Sequence, residues 1–70
     1  MSEFNGHAEH YAIGQAMVAY GGTFMSNLGK ALQNADGENQ RKIKETWSDD
    51  WNYYRELAIH MYKRGQNENN

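Results

Sequence analysis

Three histidines, a group of carboxylates, a short run of cations and a set of aromatic rings are what this 70-residue chain offers for chemistry. His7 and His10 stand at i and i+3, neighbours on one face if the segment is helical. With His60 as a third ligand they would make a zinc site. The chain has no His-Glu-x-x-His and no cysteine, and nothing in the sequence brings His60 to the pair. Exposed or partner-contacting imidazoles are therefore expected, and no metal is assigned. Asp49, Asp50 and Glu56 are the candidates for acid/base work, which needs one carboxyl with a raised pKa in a cleft. Asp49 and Asp50 are sequence neighbours at a helix start and do not face one another, so capping and solvation account for them better. No catalytic residue and no cofactor is assigned, and an enzyme is not expected.

Arg41, Lys42 and Lys44 form a short basic face. With Trp47 and Tyr53 beside it, such a face suits a nucleic-acid strand or a nucleotide held by charge and stacking. Glu38, Glu45, Asp49 and Asp50 dilute it, the formal net charge is −2 and the pI is near 5.8, whereas a general nucleic-acid binder is normally basic. The aromatic set is richer. Trp47, Trp51 and Tyr54 fall at i, i+4 and i+7, on one helical face, with Tyr53 and Tyr62 to the side. Core packing is the plain reading of such a stripe. The sharper reading makes Trp47, Trp51, Tyr53, Tyr54 and Tyr62 an interface for a protein partner, because aromatic rings dominate binding hot spots.

The elements that must hold these residues read as helices. The chain has no proline, no long β-branched run and no Asn-Gly hairpin, and an all-α bundle of three or four helices is expected. Ile13, Met17, Tyr20, Phe24, Leu28, Ala31 and Ala35 recur at steps of three and four, a helical spacing that runs straight through Gly21-Gly22. The first helix is therefore expected to be long, or kinked at Gly21-Gly22, with a true break as the alternative. A second lane holds Gly14, Val18, Gly22, Met25, Gly29 and Leu32. Interior glycines cost about 1 kcal/mol each against alanine, and the use that offsets this is close approach of another backbone at Gly14, Gly22 and Gly29. Asp36 is placed to cap a third segment by accepting from the backbone amide of Asn39 or its neighbour, with Glu38 in its first turn. That segment runs to about Trp47, with Ile43 as its buried marker. Ser48, Asp49 and Asp50 read as the start of a last helix, capped by Ser48 and running to about Arg64, which buries Trp51, Tyr54, Leu57 or Ala58, and Met61. Residues 1–6 and 65–70 are expected as disordered ends of a single domain covering 1–70, with Gly65 as the helix stop.

Composition sets a narrow margin. Leu, Ile, Val and Phe number nine in 70, under the ~20% below which disorder begins to compete. The small net charge argues against disorder, and two Trp, five Tyr and four Met supply apolar bulk instead. Area scaling gives about 7,200 Å² buried on folding, worth on the order of 108 kcal/mol if ~60% is apolar. Ordering the chain costs on the order of 105 kcal/mol. The near cancellation makes a partner, beginning with a second copy, an expectation of the sequence. No apolar run reaches the ~20 residues of a membrane span, and no basic segment followed by an apolar one marks a secretory signal.

The run Gly21-Gly22-Thr23-Phe24, then Leu28-Gly29-Lys30-Ala31-Leu32 and Ala35-Asp36-Gly37-Glu38-Asn39, followed by Ile43, Trp47, Trp51 and Tyr54, resembles small uncharacterised accessory proteins of bacteriophages and prophages. The resemblance covers about residues 20–54, roughly half the chain. That family often has proline where Ser48 stands here, which fits a helix junction at this point. The resemblance transfers no chemistry. It implies a setting, the cytoplasm of a host bacterium, and a mode of action, non-enzymatic binding: capture or inhibition of a host or anti-phage defence protein, or alternatively of nucleic acid or a signalling nucleotide.

Overall fold

The computed structural model describes Phe4 and residues 6–68, with side-chain surroundings as far as Lys63. The described residues form a small all-α bundle of four helices: α1 (Glu9–Tyr20), α2 (Thr23–Gln33), α3 (Gly37–Thr46) and α4 (Ser48–Glu68). The long or kinked first helix is corrected to two helices. Gly21 closes α1 in an extended conformation (φ −84°, ψ 160°), its N–H donating to the Met17 carbonyl, and Gly22, also extended, opens α2. The chain reverses within these two residues, so α2 lies back along α1 as a helical hairpin.

The glycine lane explains how closely the hairpin closes, with one correction. A Cβ built on Gly14 would lie 2.8 Å from the Gly29 carbonyl oxygen, and one on Gly29 would lie 2.7 Å from the Gly14 carbonyl oxygen. The two backbones touch, and only hydrogen fits at either position. Gly22, expected in the same seam, faces open space, with nothing within 4 Å of its Cβ position. Its neighbour Gly21 is the confined one: a Cβ there would meet the Met17 carbonyl oxygen and Met25 Cβ, both at 2.5 Å, with the Tyr54 hydroxyl at 3.3 Å. Beyond the seam, Gln33 on α2 ties the hairpin shut. Its Nε2 donates to Gln15 Oε1 at 2.9 Å and to the Tyr11 carbonyl at 3.3 Å.

Helix α4 packs on α1 and completes the core: Phe4, Ala12, Ile13, Ala16, Met17, Leu32, Trp51, Tyr54, Ala58 and Ile59. Trp51, Tyr54 and Ala58 are the i, i+3, i+7 stripe expected of a core-facing helix; Leu57 and Met61 are half-buried against it. Phe4, expected in a disordered lead, is buried in this core, its ring edge-on to Tyr62 at 6.1 Å between centroids. Across the α1–α4 seam Arg55 Nε donates to Glu9 Oε1 at 2.6 Å. The folded surface, 4629 Å², is close to the ~4,500 Å² that mass scaling gives, so the short chain is as compact as ordinary globular proteins.

Helix α3 is different. Asp36 caps it as expected, its Oδ1 accepting from the Asn39 amide at 2.9 Å. Yet α3 buries no residue. It leans on the bundle through half-buried Ile43 and through Gln40 Nε2, which donates to the Ala35 carbonyl at 2.8 Å. Trp47 serves both neighbours: its N–H donates to the Ile43 carbonyl at the end of α3, and its own carbonyl accepts from the Trp51 amide at the start of α4. Ser48, expected as the α4 cap, is instead that helix's first residue. The stop expected at Gly65 is also absent, because α4 continues through it to Glu68; a single glycine weakens a helix by about 1 kcal/mol without ending it. Residues 1–3, 5, 69 and 70, part of the expected disordered ends, lie outside the described residues.

Candidate functional site

The break at Gly21-Gly22 decides which rings face outward. Tyr20 ends α1 and Phe24 lies in the first turn of α2. Because the chain turns between them, the stripe that carried Ile13 and Met17 into the core carries these two rings out: Tyr20 is 58% and Phe24 60% exposed. Neither was singled out from the sequence as a surface residue. The signal for it is the true break at Gly21-Gly22, which the sequence carries as the alternative reading.

Phe24 packs on Trp47 at the α3–α4 junction, ring centroids 5.9 Å apart. On the other side of the same end, the Tyr54 hydroxyl reaches the Gly21 corner, and Tyr53, 61% exposed, stands edge-on to Tyr54 at 5.0 Å. Phe24 and Trp47 thus make one ring pair at the start of α2 and the α3–α4 junction, and Tyr53 and Tyr54 make a second, whose Tyr54 hydroxyl reaches Gly21 beside Tyr20. A groove of ≈ 330 Å³ between α2 and α3 continues from Trp47, with Ala31, Ala35 and Ile43 in its apolar lining.

The five aromatic residues proposed for a partner interface therefore divide. Tyr53 is exposed and Trp47 is half-buried at the rim. Trp51 and Tyr54, at 4% and 8% exposure, are core and are corrected as contact residues. Tyr62 is half-buried and lies elsewhere, against Phe4 and His7. Burial raises the pKa of Tyr54 above the usual tyrosine value, with Tyr53 and Asp50 adding to it. Tyr62 is raised by burial and by Tyr11.

The basic face is exposed as expected but largely compensated. Arg41 Nη1 pairs with Glu45 Oε1 at 3.1 Å and Lys42 Nζ with Glu38 Oε1 at 3.9 Å. Lys44 Nζ lies over the Trp51 ring, 5.6 Å from its centroid. A second cavity, ≈ 420 Å³, lies among α1, α3 and α4, with Glu9, His10, Arg41, Lys44 and Trp51 in its lining. A nucleotide base would stack here on Trp51, but that ring is buried and its face is covered by Lys44.

The histidines are not gathered. His7 is exposed and stacks on Tyr11 at 5.5 Å, His10 lines the second cavity, and His60 is exposed. Among the described residues no group of three or more His, Asp or Glu is placed to hold a metal ion, and no helix is long and apolar enough to cross a membrane. Asp49 and Asp50 lie in the first turn of α4, where the helix dipole favours anions.

These features define a small four-helix module with an aromatic surface at one end. Comparison with known protein families, with characterised proteins and with solved structures finds no match.

Proposed function

We propose that this chain is a non-enzymatic binding module that acts through protein–protein contact, with the aromatic end of the bundle as its docking face. The observation that carries this reading is the outward placement of Tyr20, Phe24 and Tyr53, each more than half exposed, with Phe24 packed on Trp47. At ~150–250 Å² per aromatic side chain, three rings leave roughly 350 Å² of ring surface in water, comparable with the ~300–600 Å² of the largest apolar patch on an ordinary monomer, which is often functional. A chain with so few aliphatic residues places large rings in solvent at a cost that folding alone does not recover. The resemblance to phage accessory proteins supplies the setting for the proposal: a partner that is a protein of a host bacterium, inhibited or redirected by binding.

The test places a photo-crosslinking amino acid at Phe24, at Tyr53 and, as a control, at Glu38 on exposed α3, in the full chain expressed in bacteria. A discrete adduct of the same mass from positions 24 and 53, and none from 38, is expected. Adducts absent from 24 and 53, or equally strong from all three positions, would overturn the proposal. Tyr53→Ala and Phe24→Ala should abolish the adduct formed from the other position while costing only the ring pair each one loses, about 0.5–1.5 kcal/mol, with the helical signal retained. Trp51→Ala, by contrast, should cost about 3–5 kcal/mol and unfold a domain of this size.

A further inference from the structure

The charges around the aromatic end identify the chemistry of what it binds. Among acidic residues whose side chains are described, most are engaged within the fold. Glu9 pairs with Arg55, Glu38 with Lys42 and Glu45 with Arg41, and Asp36 caps α3. Asp49, Asp50 and Glu56 form no hydrogen bond or ion pair among the described residues. All three flank Tyr53 on α4: Asp49 lies at i−4, Asp50 at i−3 and Glu56 at i+3, the spacings that make neighbours on a helix surface. Asp50 is close enough to add to the raised pKa of Tyr54. The helix dipole accounts for carboxylates at 49 and 50, but it falls off within the first turn and does not account for Glu56.

Resting on the docking face argued above, we propose that its occupant is a cationic segment of a partner protein, presenting Arg or Lys beside an apolar anchor. The exposed ring faces of Tyr53 and Phe24 attract a guanidinium or ammonium group, the three carboxylates supply its counter-charge, and the apolar anchor enters the groove beside Trp47. Among the described residues the cation lining that groove is Lys42, which is paired with Glu38. The fold uses the same chemistry internally, with Lys44 over Trp51 and Arg55 over Phe4. Unpaired acids around an apolar centre also exclude acidic partners and speed the approach of basic ones.

The test is selection of displayed random peptides on the immobilised full-length chain, followed by affinity measurement on four proteins: wild type, Phe24→Ala, Tyr53→Ala, and the triple variant Asp49→Asn, Asp50→Asn, Glu56→Gln. Enrichment of peptides carrying Arg or Lys next to an aromatic or aliphatic residue is expected. Their affinity should fall at least about tenfold on the triple variant, fall with added salt, and be lost on Phe24→Ala. Circular dichroism of each variant establishes that it remains folded. Neutral or acidic peptides that still require Phe24 would overturn the cationic assignment while leaving the docking face in place. Peptides indifferent to both Phe24 and Tyr53 would overturn the docking face as well. Self-association that Phe24→Ala abolishes, seen by light scattering of the wild type, would make a second copy the occupant and overturn the proposal.

Discussion

Gly29→Ala should destabilise this protein although alanine is the better helix former, and the structure sets the size of the effect. The added carbon would sit 2.7 Å from the Gly14 carbonyl oxygen and 2.7 Å from Met17 Cβ, about 0.7 Å inside the 3.4 Å at which ordinary contact begins. Neither atom lies at the end of a flexible side chain, so relief requires α2 to withdraw from α1. That movement loosens Ile13, Met17 and Leu32, the three largest fully buried side chains. Overpacking of this kind costs about 1–3 kcal/mol, and with two immobile contacts the upper part of that range applies. The gain in helix propensity returns about 1 kcal/mol. The net loss is about 1–2 kcal/mol, which for a domain of this length lowers the melting temperature by about 5–15 °C. Gly37→Ala is the control: it is also a helical glycine, but nothing lies within 4 Å of its Cβ position, so it should leave stability unchanged or raise it. Thermal melts followed by far-ultraviolet circular dichroism measure both. Gly14→Ala and Gly29→Ala combined should cost less than the sum of the two, because one displacement of α2 relieves both contacts. A Gly29→Ala protein as stable as wild type, or more so, would refute the close approach of α1 and α2.

Other elements give smaller effects. Asp36→Ala removes the side-chain acceptor for the Asn39 amide and should cost about 1 kcal/mol; hydrogen exchange should show faster opening of α3 with α1 and α2 unchanged, since α3 buries no residue. Tyr54 and Tyr62 have pKa values raised above 10.0 in the fold, so the folded state holds those protons more tightly than the unfolded one. The stability this confers is complete below the unfolded tyrosine value and is lost as pH rises through the folded one; alkaline denaturation should therefore set in above about pH 10 and be blunted in Tyr54→Phe, provided that variant is folded at neutral pH. Glu9→Gln weakens the pair with Arg55, whose side chains are each about a third exposed; the loss should be about 0.5 kcal/mol and shrink as salt is added.

The local chemistry of this fold was readable where one residue decides one bond. Asp36 at the start of α3 is such a case: a carboxylate three residues before an amide that a helix leaves unpaired. The Trp51, Tyr54, Ala58 face of α4 is another, because its spacing matches a helix buried on one side. The Gly14–Gly29 contact was legible as a need for closeness, though not as a contact between the two arms of one hairpin. What the pattern concealed was the reversal at Gly21-Gly22. Steps of three and four run from Ile13 to Ala35 whether the helix is continuous or folds back, so periodicity alone does not distinguish them. Once the chain turns, the two halves of the stripe no longer share a direction, and Tyr20 and Phe24 leave the core. Residue type left Trp51 and Tyr54 open to both readings, core and partner interface, along with Tyr53. Residue type marks a ring as valuable, whereas only the packing of α4 on α1 decides which rings are spent on the core.

The hairpin turn and the exposed aromatic surface thus have one physical origin. Gly21 lacks the side chain that would collide with Met17 and Met25, which permits the turn, and the same vacancy admits the Tyr54 hydroxyl to the corner. Tyr54 anchors α4 there and so sets the position of Tyr53 beside it. Phe24, turned outward by the reversal, meets Trp47, the residue between the end of α3 and the start of α4. A bulky residue at Gly21 should accordingly do more than destabilise the hairpin. By displacing Tyr54 it should break the Tyr53–Tyr54 contact, so binding of cationic peptides and the near-ultraviolet signal of that ring pair should fall together. A Gly21→Val protein that kept the aromatic signal and still bound cationic peptides would separate the turn from the site and refute this dependence.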